Sequence, residues 1–182
     1  MRQPTAPCAA ALPVPLSLTA VLAFGCYAAG AAMGLLAGAT TSVGSVATNE
    51  DLPSAPWLFL HNVGVLAWLA LGLWTAGMVS GATMMVNGAM LGWLAGHLLA
   101  DGSASVLYTA VLPHLVPELA AYVLSAASSA AAGIALATRL RHRGPDAHHP
   151  NRSWVTSWLR TQAIAIGLLA VAALLESTVS YV

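Results

Sequence analysis

The strongest constraint on this chain is a series of long apolar stretches, which are separated by short polar segments. A helix needs roughly 20 mostly apolar residues to cross about 30 Å of hydrocarbon, and several of these stretches reach that length. The composition agrees, because 58% of the residues are hydrophobic, 7% are charged and the mean hydropathy is +0.77. Soluble domains of this size are less apolar. The sequence therefore predicts an all-α, polytopic membrane helix bundle whose surroundings are a lipid bilayer.

The pattern predicts one integral membrane domain over residues 1–182, with about five transmembrane helices. A tail of residues 1–15 precedes spans near 16–39, 57–79, 83–99, 113–140 and 153–179. A tight turn at Ser80-Gly81 is expected between the second and third spans, and a short re-entrant or interfacial helix at residues 106–112 before the fourth. The first stretch also resembles a signal peptide, but its length favours a retained span.

The distribution of arginines predicts the orientation of the bundle. Four of them surround one loop, namely Arg139, Arg141, Arg143 and Arg152. Positive charge is enriched on the cytoplasmic side of membranes, so this loop and the N-terminal tail are predicted to be cytoplasmic. The loop with Glu50 and Asp51 is then outside. Because the net charge is zero and no basic patch occurs, the sequence does not indicate a nucleic-acid partner.

The most unusual residues are His114 and Glu118, which lie four positions apart in an apolar stretch between Pro113 and Leu119. Residues at this spacing share one face of a helix, about one turn apart. Titratable side chains near hydrocarbon cost a few kcal/mol and are therefore functional by default. Pro113 suits the first turn of a helix, and Pro117 removes a backbone donor beside the pair. The segment predicts a rigid helix entrance that carries a polar pair.

Other polar residues are predicted to lie at a similar depth, in the outer leaflet. His61 and Asn62 fall in the second span, and Glu176 falls in the fifth. Below Glu118, the fourth span presents Tyr122, Ser125 and Ser129 at spacings of three or four, and these residues should face the bundle interior. Asn87 is the exception, because the predicted start of the third span puts it near the inner end.

Several functions are compatible with this polar cluster. His114, Glu118, Glu176 and His61 could together bind zinc or another divalent metal, and a carboxylate could serve as a general base. Alternatively, the cluster could hold the helices in register, form a socket for a partner, or conduct protons or ions. The sequence contains no HExxH, Walker or GxGxxG motif, so it does not decide between them.

Glycines at intervals of four predict how the helices pack. Such residues let helix backbones approach closely, either within one chain or between the copies of a homo-oligomer. They are Gly30, Gly34 and Gly38 in the first span, and Gly88, Gly92 and Gly96 in the third.

The segments that carry these residues resemble the stage II sporulation protein M family. The resemblance rests mainly on Leu112-Pro113-His114 with Pro117-Glu118-Leu119, followed by a small-residue helix that ends in Ala132-Gly133-Ile134. It extends to Leu60-His61-Asn62, Val86-Asn87-Gly88 and Leu174-Leu175-Glu176, and so covers residues 57–176. The first span is matched only by its hydrophobicity.

This resemblance implies a multi-pass protein of the bacterial inner membrane that works with membrane or envelope partners. The sporulation member looks like the membrane anchor of a cell-wall remodelling complex, and related proteins occur beside genes for peptide export, immunity and cyclisation. The expected function is thus a role in a membrane complex for cell-wall remodelling or peptide export and maturation. The alternative is an intramembrane metal-dependent peptidase or peptide cyclase that acts on a peptide substrate through His114, Glu118 and Glu176.

Overall fold

The computed structural model describes residues 14–41, 54–141 and 153–179, and this part of the chain is helical with short turns. Its five long helices are α1 (Leu16–Thr40), α2 (Ala55–Ala70), α3 (Met78–Ala100), α4 (Leu112–Arg141) and α5 (Ser153–Val179). Each lies in a helical stretch long and apolar enough to cross a membrane. The predicted all-α polytopic bundle is confirmed. Most of the N-terminal tail, the Glu50/Asp51 loop and loop residues 142–152 lie outside the described residues.

The connection between α2 and α3 differs from the prediction. A 3-10 turn at Leu71–Leu73 follows α2, and the chain reverses through Ala76 and Gly77, both of which have positive φ values. Gly77 has φ +94°, a backbone conformation that glycine adopts without a steric penalty. The predicted turn at Ser80-Gly81 is wrong, since Ser80 is buried inside α3 and its hydroxyl donates a hydrogen bond to the Leu69 carbonyl, at 2.7 Å.

The segment before α4 also differs from the predicted separate piece. A short α-helical turn, Ala104–Val106, leads into a π-helical turn, Leu107–Val111, and this continues directly into α4. Pro113 has no N–H group to donate to the carbonyl four residues earlier, at Thr109. We attribute the wide π turn to this missing donor, because such turns let a helix continue past an interrupted hydrogen-bond ladder.

The closest packing in the bundle joins α1 to α3. Six of the glycines in the two helices, those spaced four apart, lie against the backbone of the opposite helix, so that a Cβ atom at any of these six would overlap a carbonyl oxygen. Gly30 faces Met85, Gly34 faces Ala89 and Gly38 faces Trp93. Because these partners advance together along both helices, α1 and α3 run parallel, as expected for first and third spans.

The remaining helices complete an alternating bundle. Ser125 of α4 bonds Gln162 of α5, whereas Ser129, further along α4, bonds Trp158, earlier in α5. These two helices therefore run antiparallel. The central core contains Leu69, Met84, Tyr122 and Leu169, from α2, α3, α4 and α5. As a result, the C-terminal ends of α1, α3 and α5 share one end of the bundle with the N-terminal ends of α2 and α4.

Candidate functional site

A cavity of about 970 Å³ occupies this shared end of the bundle, and all five long helices contribute to its lining. It reaches from Ala110, just before α4, to Tyr122, three helical turns further along. Its polar lining residues are Tyr27, His61, Asn87, His114, Glu118, Tyr122 and Glu176. The structure thus brings into one space most of the polar residues that the sequence singled out.

The polar side of the cavity is formed mainly by α4. His114, Glu118 and Tyr122 follow one another at intervals of four residues and so lie on one face, one turn apart. Glu118 lies within electrostatic range of His114 and within hydrogen-bonding range of the Tyr122 hydroxyl, and it also interacts with His61 and Glu176 across the cavity. The side chain of Glu118 is therefore the electrostatic centre of the site.

Two polar atoms beside Glu118 are buried and form no hydrogen bond of good geometry within the described part of the chain, although the Tyr122 hydroxyl approaches Glu118 and the His114 ring approaches the Ala110 carbonyl. They are Nδ1 of His114 and the hydroxyl of Tyr122. Tyr122 is only 3% exposed, so bulk water on the bundle surface does not solvate it. Leaving such a group unpaired costs about 1–3 kcal/mol, and unpaired buried groups call for a functional explanation.

The opposite wall of the cavity is apolar. It comes from α1 and α3, and it includes Met33, Met90, Trp93 and Leu94. Met33 and Met90 are each 66% exposed, so this wall is continuous with the outer surface of the bundle. Methionine is flexible and adapts to irregular partners. The cavity can therefore accept an apolar occupant that carries a polar group.

Asn87 reaches the cavity because α3 begins earlier than predicted. It lies nine residues after Met78, about 13 Å along the helix, and is therefore near the middle of α3. Its side-chain nitrogen donates a hydrogen bond to the Thr83 carbonyl at 2.9 Å. Tyr27 was missed in the sequence analysis, although its spacing from Ala23 and Gly30 places it on the buried face of α1.

Two residues predicted for the polar cluster lie elsewhere. Asn62 is buried but does not line the cavity. Ser125 is fully buried between α4 and α5, where its hydroxyl donates a hydrogen bond to the Gln162 side-chain oxygen at 2.8 Å. The predicted polar stripe of α4 is therefore divided, with Glu118 and Tyr122 in the cavity and the serines in a second network.

This second network, the serine–glutamine clamp, consists of Ser125, Ser128, Ser129, Trp158 and Gln162. The Gln162 side-chain nitrogen donates to the hydroxyls of Ser128 and Ser129, at 3.1 and 3.3 Å, and Trp158 donates to Ser129 at 3.1 Å. The sequence analysis identified Ser125 and Ser129 but not Ser128, Trp158 or Gln162, of which Gln162 makes the most hydrogen bonds. The signal for Gln162 was that it is the single amide side chain of the fifth span.

The predicted metal ligands do not assemble into a metal centre. Among residues 14–41, 54–141 and 153–179, no group of three or more His, Cys, Asp and Glu side chains is placed to hold one ion. His61 is exposed and stacks on Trp57, with ring centroids 5.4 Å apart, and His97 stacks similarly on Trp93. The donor set thus does not fit the three or four ligands of a zinc site.

Comparison with known families agrees with the sequence resemblance. The family model described as "Stage II sporulation protein M" matches residues 16–181. Neither curated proteins nor solved structures give a significant match. The matched residues include every helix of the bundle and every residue that lines the cavity. This protein is a member of the stage II sporulation protein M family.

Proposed function

We propose that this protein is a non-enzymatic subunit of a membrane complex, and that its cavity holds a segment of a partner protein. Membership in the family supports a role beside envelope proteins, either in cell-wall remodelling or in peptide export and maturation. The alternative of a metal-dependent peptidase or cyclase receives no support, because the ligands do not converge on one ion.

The observation that carries the proposal is the combination of an apolar wall with unpaired polar groups in one cavity. A polar cluster that served only to hold the helices together would satisfy its own hydrogen bonds, as the serine–glutamine clamp does. In the cavity, by contrast, the His114 Nδ1 atom and the Tyr122 hydroxyl lack completed bonds. A partner that supplies polar groups would remove this cost on binding, and its apolar surface would cover the methionine wall.

In cells, a photocrosslinking amino acid such as p-benzoylphenylalanine in place of Met90 should capture this partner. The matched control is the same replacement at Met78, which is 76% exposed but lies outside the cavity. We expect one discrete crosslinked band from Met90 and none from Met78, with mass spectrometry identifying a membrane or envelope protein. Equal crosslinking at both positions, or a product that contains only lipid or a second copy of this chain, would contradict the proposal.

We further propose that the protein lies in the bacterial inner membrane with its N-terminus in the cytoplasm, so that the cavity opens in the outer leaflet. The arginines Arg139 and Arg141 end α4 at the opposite end of the bundle, where Arg139 lies over the ring of Trp154 at 5.7 Å. Tryptophan is typical of both membrane interfaces, and arginines beside it are typical of the cytoplasmic one.

Cysteine labelling in intact cells tests this orientation. In a variant that lacks Cys8 and Cys26, Ser54→Cys at the start of α2 should react with a membrane-impermeant thiol reagent. Ala147→Cys, in the predicted cytoplasmic loop, should react only after the cells are permeabilised. The opposite pattern would invert the proposed topology.

A further inference from the structure

The cavity is open at its side, between α3 and α4. At the far end of the bundle these two helices are in contact, since a Cβ atom at Gly77 would lie 2.7 Å from the Cβ atom of Ala130. Nearer the cavity end, Val86 and Met90 of α3 line the space and are nevertheless 56% and 66% exposed. Side chains that line a cavity and are also this exposed lie at its opening. The two helices therefore separate toward the cavity end of the bundle.

This opening faces lipid. Val86 lies eight residues, or about 12 Å, after the start of α3 at Met78, and Met90 lies ten residues, or about 15 Å, before its end at Ala100. Both residues are thus in the part of the helix that crosses the hydrocarbon. At the cavity end, the gap between α3 and α4 is spanned by the chain itself, which runs from Asp101 through the π-helical turn into α4. An occupant that lies between α3 and α4 therefore enters from within the bilayer.

The polar and apolar sides of the cavity both run along the helix axes. His114, Glu118 and Tyr122 extend over two turns of α4, and Val86 and Leu94 are likewise two turns apart on α3. The polar groups interact with one another, and together they form a polar stripe about 12 Å long. A matching occupant is polar along one side and apolar along the other. A helix has this character, because residues three or four apart share a face, whereas a lipid is polar only at its headgroup end.

The size of the cavity also suits a helix. A helix about 10 Å across has a cross-section of roughly 80 Å², so 970 Å³ holds about 12 Å of it, or two turns. This length agrees with the length of the polar stripe. A chain segment within hydrocarbon must satisfy its own backbone hydrogen bonds, which also favours a helix.

On the basis of the proposed function, we infer that the partner segment is a transmembrane helix, which enters the cavity sideways from the bilayer between α3 and α4. One face of this helix is apolar and covers Val86, Met90 and Leu94. The opposite face carries residues such as serine, threonine or asparagine at intervals of three or four. These residues lie along the polar stripe of α4, because such side chains hydrogen-bond between membrane helices.

A series of crosslinking positions along α3 tests the inference in cells. p-Benzoylphenylalanine replaces Val86, Met90 or Leu94 in turn, and mass spectrometry locates the attached residue in the partner. We expect every attached residue to lie in a transmembrane segment of the partner. It should move by about three to five residues for each step, because each step is one helical turn and packed helices run side by side. Attachment outside a transmembrane segment, or without this regular shift, would overturn the inference.

A bulky residue at the opening should exclude the helix. Ala37 is exposed and lines the cavity, whereas Ala32, on the same helix, is exposed and lies outside it. With the crosslinker at Met90, Ala37→Trp should reduce the crosslinked fraction at least about fivefold, and the control Ala32→Trp less than about twofold. Equal protein amounts and an unchanged Tm for both variants exclude misfolding. A band that Ala37→Trp leaves undiminished would mean that the partner touches the surface without entering the cavity.

The two proposals fail in different ways in these assays. If none of the three positions on α3 gives a partner band, the proposed function itself is wrong, and the transmembrane helix is excluded with it. If a band forms but the attached residue lies in an extramembrane part of the partner, the partner remains and the helical occupant is excluded.

A binding measurement on the purified full-length chain in neutral detergent tests the two-faced character directly. The probes are two helical leucine–alanine peptides of equal composition, each with two asparagines. In one peptide the asparagines are four residues apart on one face, and in the other they are two residues apart on opposite faces. We expect the first peptide to bind about fivefold more tightly, as one or two additional hydrogen bonds between membrane helices would give. Equal affinity for the two peptides, or displacement of the first by phosphatidylethanolamine, would overturn the inference.

Discussion

Replacing Gly30 with alanine is expected to destabilise the bundle by about 3 kcal/mol, because the new Cβ would meet the backbone of α3. At this position a Cβ would overlap the Met85 carbonyl oxygen and lie 2.9 Å from its carbon. A backbone carbonyl inside a helix cannot move aside as a flexible side chain can, so α1 and α3 would have to separate along their shared face. Reversible unfolding in mixed micelles of dodecyl maltoside and dodecyl sulfate, followed by circular dichroism, measures the change.

Gly25→Ala is the matched control on the same helix. Gly25 is exposed, and a Cβ there would meet no atom within 4 Å. Alanine has a higher helix propensity than glycine, so this variant should be stabilised, by up to about 1 kcal/mol. The two substitutions on α1 are therefore expected to change the free energy of unfolding in opposite directions. Similar effects at the two positions would show that close packing of α1 on α3 does not stabilise the bundle.

Gln162→Ala is expected to lower the free energy of unfolding by about 2–3 kcal/mol. The substitution removes the amide that forms hydrogen bonds with Ser125, Ser128 and Ser129, so these buried hydroxyls lose a partner. Single hydrogen bonds between membrane helices contribute about 0.6 kcal/mol on average, and leaving a buried polar group unpaired adds to the loss. The same unfolding measurement applies.

The neighbouring substitution Thr161→Ala is the control for the clamp. The Thr161 hydroxyl donates only to the Ser157 carbonyl of its own helix, so its removal should change stability by less than about 0.5 kcal/mol. Combining Gln162→Ala with Ser125→Ala should cost less than the sum of the single changes, since both remove the same bond. Strict additivity would mean that Ser125 and Gln162 do not interact.

Much of the fold follows from hydropathy. Five apolar stretches predict five helices, and the bundle has them, because backbone polar groups in a membrane must be hydrogen-bonded within the protein and a helix achieves this within one segment. The turn between α2 and α3 was misplaced, at Ser80-Gly81, because two nearby glycines offered alternative breaks. Gly77 forms the turn, and Ser80 instead caps the Leu69 carbonyl from inside α3.

The candidate site could be predicted from the sequence only in part. The spacing of His114, Glu118 and Tyr122 places them on one face of α4, and that face borders the cavity. The same spacing also places Ser125 on this face, one turn after Tyr122. The spacing alone does not show that Tyr122 lines the cavity whereas Ser125 belongs to the clamp. The reason is that Ser125 is paired by Gln162, which lies on another helix. The position of α5 relative to α4 cannot be read from the residues of α4 alone.

The amino-acid pattern alone determines that this protein is a membrane-spanning helical bundle with rare polar residues at regular helical spacing along α4, since hydropathy and helix periodicity act over short stretches of chain. The tertiary structure decides what those polar residues meet. The glycine faces bring α1 and α3 into contact, the turn at Gly77 moves Asn87 to mid-helix, and α5 pairs the serines of α4. The rotation and register of packed helices depend on contacts between segments that are distant in the sequence. These contacts place Glu118 and Tyr122 at the cavity and the serines of α4 in the clamp.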